Sequence, residues 1–315
     1  MQPILRRGFA PAALLSLYPP EMRHPGKQLV FDLACPPDGV HAGSLELTRW
    51  AAAPLPATVE LAATDVAPVP GVYDYGDDVG VWHVNFADPD LFFGYASSLL
   101  AQDELQCAEH PALCSLREAL LAEGLPARTE EDGAPTPVLV AGVERRCALD
   151  TRILYGNRFA AASPSIVREG TRVLSPPTRT NVIAIAAPAG GRGRYSRRQI
   201  DQILTTAYTA FAAAALESRR LWPDAPVEIR TGFWGCGAFG GNRNLMTLLQ
   251  LLAARLAGID RLRFYTVDLL GLKGYAGGRD DLDTLIHAGT PGEPLAALLE
   301  RIEALGHEWG VGNGT

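Results

Sequence analysis

A chain of 315 residues with 47% hydrophobic and 20% charged residues has an ordinary globular makeup and enough length to bury a substantial core. Its net charge of −7 argues against a protein built to coat nucleic acid or an anionic membrane, and no stretch approaches the roughly 20 apolar residues of a membrane span. The cysteines, Cys35, Cys107, Cys114, Cys147 and Cys236, are odd in number and form no C-x-x-C pair, so a reduced, cytoplasmic setting is expected rather than a disulfide framework or a zinc site.

Arg6 and Arg7 precede a short apolar stretch, Phe9–Tyr18, which Pro11 interrupts and Pro19 ends; this is not the pattern of a secretory leader. Up to about residue 75 the chain is rich in proline and alanine, and Gln28–Leu33, Ser44–Trp50 and Thr58–Ala62 read as extended segments. Gly80–Phe86, bounded by Asp77, Asp78 and Gly80, is a stronger strand candidate. A helix is expected from about Ser97 to Glu109, stopping before Pro111, and Leu113, Leu116 and Leu120 continue at helical spacing. Leu125–Pro137 reads as a surface loop or lid, Val138–Val143 and Arg152–Tyr155 as strands. The continuous apolar run Asn181–Ala187 suits a strand covered on both faces. A basic cluster, Arg192, Arg194, Arg197 and Arg198, lies in a glycine-rich turn and reads as solvated loop. Ser196 and Gln199 form a capping box before a helix whose buried side carries Ile200, Ile203, Leu204, Ala207, Tyr208 and Phe211. Val227–Arg230 is a short strand, Asn244–Leu256 a helix with one leucine face, Leu262–Val267 the last strand and Leu295–Leu305 the last helix. Strands alternating with helices imply an α/β fold with a mixed or largely parallel sheet covered on both faces.

Between the strand at Val227 and the helix at Asn244 lies Thr231–Gly241, with five glycines in its last ten residues. Such a loop lets backbone N–H groups approach an anion, and the helix N-terminus behind it adds a favourable dipole; diphosphate is the natural guest. Gly235, Gly237 and Gly240 also satisfy the dinucleotide pattern G-x-G-x-x-G, with Asp268 ending the next strand. Three points weigh against that fold: the alternation in Val227–Arg230, the 28 residues separating Gly240 from Asp268, and the 47 residues that follow it. Elsewhere, Gln102-Asp103-Glu104 sits on the helix after the Gly80–Phe86 strand. Neighbouring helical residues point about 100° apart, so one carboxylate can enter a pocket while the other orients it; unaided, such a pair is ordinarily a solvated helix face. His83 reads as a core or edge histidine, and Glu109-His110-Pro111 as a helix terminus.

Together these segments resemble the poly(ADP-ribose) glycohydrolase family, a branch of the macrodomain fold. Thr231–Gly241 is very similar to that family's late diphosphate loop, and the likeness runs on through Leu245–Gln250 and Phe264–Thr266. Val84-Asn-Phe-Ala-Asp88, Phe92-Phe93-Gly94 and Gln102-Asp-Glu104 stand, without a gap, where the family has a V-D-F-A-N strand end, a triple glycine and Q-E-E. The resemblance implies that Glu104 is general acid and then base, that Asp103 is its acidic neighbour, that Asp88 meets the distal ribose, and that Gln102 also belongs to the ligand-binding residues. It further implies that Gly232, Phe233, Gly235, Cys236, Gly237, Ala238, Phe239 and Gly240 form the ligand loop. Asn85 and Asp88 are exchanged relative to the pattern, and Phe92 and Phe93 replace two glycines.

The expected architecture is therefore one domain: a macrodomain-like mixed sheet flanked by helices over 76–275, an N-terminal extension over 1–75 packed on it, and a helical segment over 276–315. The expected activity is hydrolysis of the glycosidic bond of ADP-ribosylated protein, nucleic acid or small molecule, without metal or organic cofactor and without a membrane partner. Two alternatives remain: an ADP-ribose reader that does not cleave, and, more remotely, a nicotinamide-dinucleotide enzyme. Two phenyl rings in place of glycine imply a preference for single ADP-ribosyl groups over long polymer if either ring lines the pocket.

Overall fold

The computed structural model describes residues 1–76 and 78–312, so Asp77 and the last three residues of the expected C-terminal segment lie outside the described residues. The chain begins with strand β1 (Pro3–Phe9) and helices α1 (Pro11–Leu17) and α2 (Pro25–Ala34), then strands β2 (Leu45–Trp50), β3 (Asp65–Val69) and β4 (Val81–Ala87). Helices α3 (Gln102–Glu109) and α4 (Pro111–Ala122) follow, then the small hairpin β5 (Glu130–Glu131) and β6 (Ala134–Pro135) and the long strand β7 (Val138–Leu149). Helices α5 (Thr151–Leu154) and α6 (Pro164–Glu169) lead into β8 (Thr171–Ala186). The remainder is α7 (Arg197–Leu221), β9 (Glu228–Gly232), α8 (Arg243–Ala257), β10 (Arg261–Tyr265), α9 (Leu269–Ala288) and α10 (Leu295–Ala304).

Eight strands form one mixed sheet in the order β1-β2-β7-β8-β4-β9-β10-β3. Pairing is antiparallel from β1 through β8 and parallel from β8 through β3. The apolar run in β8 serves both faces, as successive side chains of a strand must. Ile183 and Ile185 join Trp82, Val84 and the leucines of α8 in one core; Val182 and Ala184 join Cys107, Leu113, Leu116 and Leu120 in the other. The mixed sheet with helices on both faces is the expected architecture.

Several local expectations are corrected. Gln28–Leu33 is helical, part of α2, which Pro25 opens at the first helical position, where a missing N–H costs nothing. Thr58–Ala62 is loop with one isolated bridge, Thr58 to Pro294, and the strand lies a few residues later as β3. Arg152–Tyr155 is a helical turn, capped by Asp150 accepting from Arg152 N. Helix α3 begins at Gln102 rather than Ser97, because residues 93–96 form a 3-10 turn. Strand β9 is interior despite its alternating sequence: Glu228 is buried and pairs with Arg230 at 2.9 Å, so its charge is answered within the strand.

Candidate active site

The carboxyl ends of the parallel strands hold a fork. Strands β4 and β9 are paired from Val81↔Glu228 to His83↔Arg230 and then part. Beyond that point β4 stays with β8 as far as Ala87↔Ala186, and β9 stays with β10 as far as Gly232↔Tyr265. Open α/β sheets place their ligands in such crevices. The chain leaving β4 carries the carboxylates, and the chain leaving β9 carries the glycine loop.

That loop is pinned by Trp234, whose ring is fully buried and whose Nε1 donates to Ile185 O at 3.0 Å. Ile185 belongs to β8, two strands from β9, so the loop arches over the end of β4. Gly235 has φ 74°, and a Cβ there would meet the Ala187 Cβ at 2.5 Å; glycine is required on both counts. Within the loop, Cys236 N donates to Phe233 O, Gly240 N to Gly237 O and Gly241 N to Gly235 O. No hydrogen bond among the described residues takes the N–H groups of Gly235, Gly237, Ala238 and Phe239. Backbone donors are rarely left without partners, and a run of them in one turn is suited to an anion. Helix α8 starts directly behind, capped by the Asn242 side chain accepting from Leu245 N. The back of the loop is held by Gly310 N donating to Gly240 O, and by Tyr195, whose hydroxyl accepts from Asn242 N and whose ring stacks on Trp309 at 4.2 Å.

The aromatic residues of the loop serve packing. Phe233 meets Phe264 edge-on at 5.1 Å with the Arg243 guanidinium 5.0 Å over its ring, and Phe239 is half-buried against the same core. Burial pushes the Cys236 thiol up to about 12, which keeps it from acting as a nucleophile. Asp268, the acid weighed for a dinucleotide site, is the N-cap of α9 and accepts from Gly271 N.

On the other side, the Gln102 amide docks α3 onto β4. Its Oε1 accepts from Phe86 N at 2.7 Å and its Nε2 donates to Val84 O at 3.1 Å, extending the sheet's ladder by one side chain. Both groups of Gln102 are thereby committed to the backbone, so this residue positions the site. The next two residues are not a solvated face: Asp103 is 7% and Glu104 8% exposed. They diverge as their angular spacing requires. Asp103 turns to β4 and accepts from Asn85 Nδ2 at 3.0 Å; Glu104 folds back so that its Oε2 accepts from Ala101 N at 3.1 Å. The other Glu104 oxygen lies over Gly94, where a Cβ would come within 2.3 Å of it. Burial pushes the Asp103 carboxyl up, to about 7, reinforced by the neighbouring Glu104 charge; burial also raises Glu104, reinforced by Asp88. Asp88 is half-buried, and its Oδ1 accepts from Asp90 N at 2.9 Å.

The two rings at the family's glycine positions part company. Phe92 adopts the left-handed conformation, φ 55°, and is fully buried against β8 and α4. That conformation costs roughly 1–2 kcal/mol for a non-glycine residue, which burial of a phenyl ring, worth about 1.5–3 kcal/mol, offsets. Phe93 is 58% exposed beneath the Arg117 guanidinium. Phe92 therefore does not narrow the pocket, and only Phe93 is left for that role.

His83 is a core histidine in contact with Tyr73 and Tyr75, its pKa well below normal because it is desolvated, and His110 caps α3. Sequence reading missed Lys27, a buried lysine on α2, because the residues that follow it, Gln28–Leu33, read as extended.

The α/β sheet thus brings buried carboxylates and a loop with free backbone donors together at its carboxyl edge. The family model described as poly(ADP-ribose) glycohydrolase (PARG), macro domain fold, matches residues 74–273, well over half of the chain. The chain belongs to this family. Among curated proteins it is similar to the probable poly(ADP-ribose) glycohydrolase 2 of Arabidopsis thaliana, 27% identical over 127 residues. That match takes in 30% of this chain and 24% of the plant protein, so the chain spans about a quarter of that relative's length. Similar solved structures include the poly(ADP-ribose) glycohydrolase of Thermomonospora curvata bound to the inhibitor ADP-HPD, 15% identical with a TM-score of 0.44, covering 87% of this chain and 84% of that one. Another is that of Deinococcus radiodurans in complex with ADP-ribose, 14% identical with a TM-score of 0.41, covering 89% and 94%.

Proposed function

We propose that this protein hydrolyses the glycosidic bond between ADP-ribose and a linked group, with Glu104 as general acid and then general base. The observation that carries the reading is the state of Glu104. It is a buried carboxyl whose pKa is raised by desolvation, oriented by Ala101 N and pressed against Gly94 at the carboxyl end of β4. The glycine loop, with its unpartnered N–H groups, arches over the same strand. Raising the carboxyl favours its protonated form, the form that a leaving oxygen needs. The ribosyl C1″–O bond breaks through an oxocarbenium-like state as the Glu104 proton passes to the leaving oxygen; water then adds to C1″ and returns a proton to Glu104. Loop amides hold the diphosphate, whose charge faces the cationic ring as it forms.

Glu104→Gln is expected to lower turnover about 10²- to 10⁴-fold, measured as ADP-ribose released from a mono-ADP-ribosylated substrate. ADP-ribose affinity by calorimetry should stay within a few-fold. Saturable ADP-ribose binding by the wild type without release from any modified substrate would make it a reader, and undiminished turnover in Glu104→Gln would remove Glu104 from the mechanism.

A further inference from the structure

Lys27 is 2% exposed, an unusual place for an ammonium group. It sits in the first turn of α2, far in sequence from Asp103 and Glu104, and its Nζ donates to Tyr95 O at 3.0 Å. Tyr95 adjoins Gly94, the glycine in contact with Glu104. Lys27 also lines one small cavity with Cys107 and Cys114, and the Cys107 Sγ lies 3.7 Å from Asp103 Oδ1. The lysine thus shares a cavity with the thiol that touches Asp103, its Nζ lies 5.7 Å from the centroid of the Phe159 ring, and among the described residues it makes no direct ion pair with either carboxyl.

An isolated buried ammonium is strongly disfavoured unless an anion compensates it. Here two carboxyls stand ready, and one low-dielectric cluster of one cation and two acids is neutral when one acid is ionised and the other keeps its proton. A general acid needs that proton count. We propose that Lys27 is a positioning residue for the Asp103–Glu104 pair: its buried ammonium balances one carboxylate charge, so that the pair holds a single proton, and its bond to Tyr95 O fixes the turn on which Glu104 rests. The proposal rests on the reading of Glu104 as acid and base.

The other groups acting on this cluster do not supply the cation. Asp88, from the chain after β4, adds negative charge; the Cys107 thiol of α3 and the Tyr155 phenol are pushed up by burial and remain neutral; Cys114 of α4 carries no positive charge in either state. Lys27 acts on Asp103 and Glu104 alike in the direction that favours ionisation; burial lowers the lysine's own pKa, and Glu104 is the largest influence opposing that shift.

The test uses the full chain and two readouts. With Lys27→Met, which keeps the stem and removes the charge, the carboxyls of Asp103 and Glu104 should hold their protons to higher pH by about one unit or more, followed by carbon-13 NMR without substrate. The pH–rate profile should move alkaline by the same amount, and Lys27→Arg should return both toward the wild type. A folded Lys27→Met whose carboxyl titration coincides with the wild type overturns the proposal. Should that variant fail to fold, reciprocity supplies a second measurement: in Glu104→Gln the Lys27 ammonium, followed by nitrogen-15 NMR, must lose its proton at lower pH than in the wild type. An unchanged Lys27 titration there also overturns it. Because both titrations are read without turnover, a protein that cleaves nothing refutes the hydrolase reading alone and leaves the coupling of Lys27 to the pair separately decided.

Discussion

Replacing Gly94 by alanine separates the fold from the chemistry. Gly94 lies outside the left-handed region, so alanine is unstrained in its backbone. Its new methyl would stand 2.3 Å from Glu104 Oε1 and 3.1 Å from Cδ and Cγ, where ordinary contact begins near 3.4 Å. The carboxylate must therefore retreat by roughly 1 Å, and its bond from Ala101 N lengthens or breaks. A lost hydrogen bond costs about 1 kcal/mol and a strained side-chain torsion about 0.5–1.5 kcal/mol, while a stiffer unfolded chain returns about 0.4–1 kcal/mol. Net stability should change by no more than about 1–2 kcal/mol, a Tm shift of a few degrees at most. Turnover should fall far more, because a 1 Å misplacement of a catalytic group costs on the order of 10²-fold, or about 2.7 kcal/mol of barrier. Thermal melting and ADP-ribose release on the same preparation would measure both. Full turnover in a stable Gly94→Ala protein would show that Glu104 does not act from the position it holds against Gly94. A collapse of Tm would show that this contact is a packing requirement instead.

The pH dependence of stability carries a definite sign: native Asp103 keeps its proton to about 7, whereas in the unfolded chain it is lost near 4. Between those values the native state binds more protons, so this group lowers stability as pH rises; the advantage of Asp103→Asn in denaturant unfolding should widen from pH 4 to 7 and level off above, and a gap that narrows would refute the burial argument. Phe93→Ala should raise ADP-ribose release from long polymer several-fold relative to mono-modified targets while leaving Tm within a degree or two, since the ring is 58% exposed; an unchanged ratio would show that Phe93 does not restrict the site. Trp234→Ala should cost about 3–5 kcal/mol by removing a fully buried ring and its bond to Ile185 O, with ADP-ribose affinity falling even where the variant is fully folded; unaltered affinity would show that the pin to β8 does not shape the loop.

What the sequence disclosed, and what it withheld, follows from where its signals are local. The capping box at Ser196, the leucine face of α8 and the apolar run of β8 each state their structure within a dozen residues, and all three form as read. Helix α9 does not announce itself, because Gly271, Gly274, Gly277 and Gly278 oppose helix formation. Those glycines are there for contact: a Cβ at Gly274 would meet the Arg243 side chain at 2.9 Å, and one at Gly278 would meet Asn244 O at 2.3 Å, so α8 and α9 pack at a distance side chains would forbid. Strand β3 is hidden by Pro68, which an edge strand tolerates. In the site, the glycine loop and the Gln102–Glu104 segment were legible as patterns. The burial of the carboxylates was not, since it depends on Asn85 and Gly94 arriving from the chain before α3.

The order of the strands also bears on when this molecule can fold. Residues before 70 supply both margins of the large sheet: β1 and β2 close one side against β7, and β3 lies against β10 on the other. Asp65 and Arg261, partners in that last pairing, are separated by almost 200 residues. As the chain is synthesised, β3 must wait for nearly all of the remainder before its partner exists. Long-range pairing of this kind slows folding and leaves unpaired strand edges open in the interval. The proline within β3 removes one backbone donor from a strand that spends that interval unpaired, which makes it a poorer template for association with another chain.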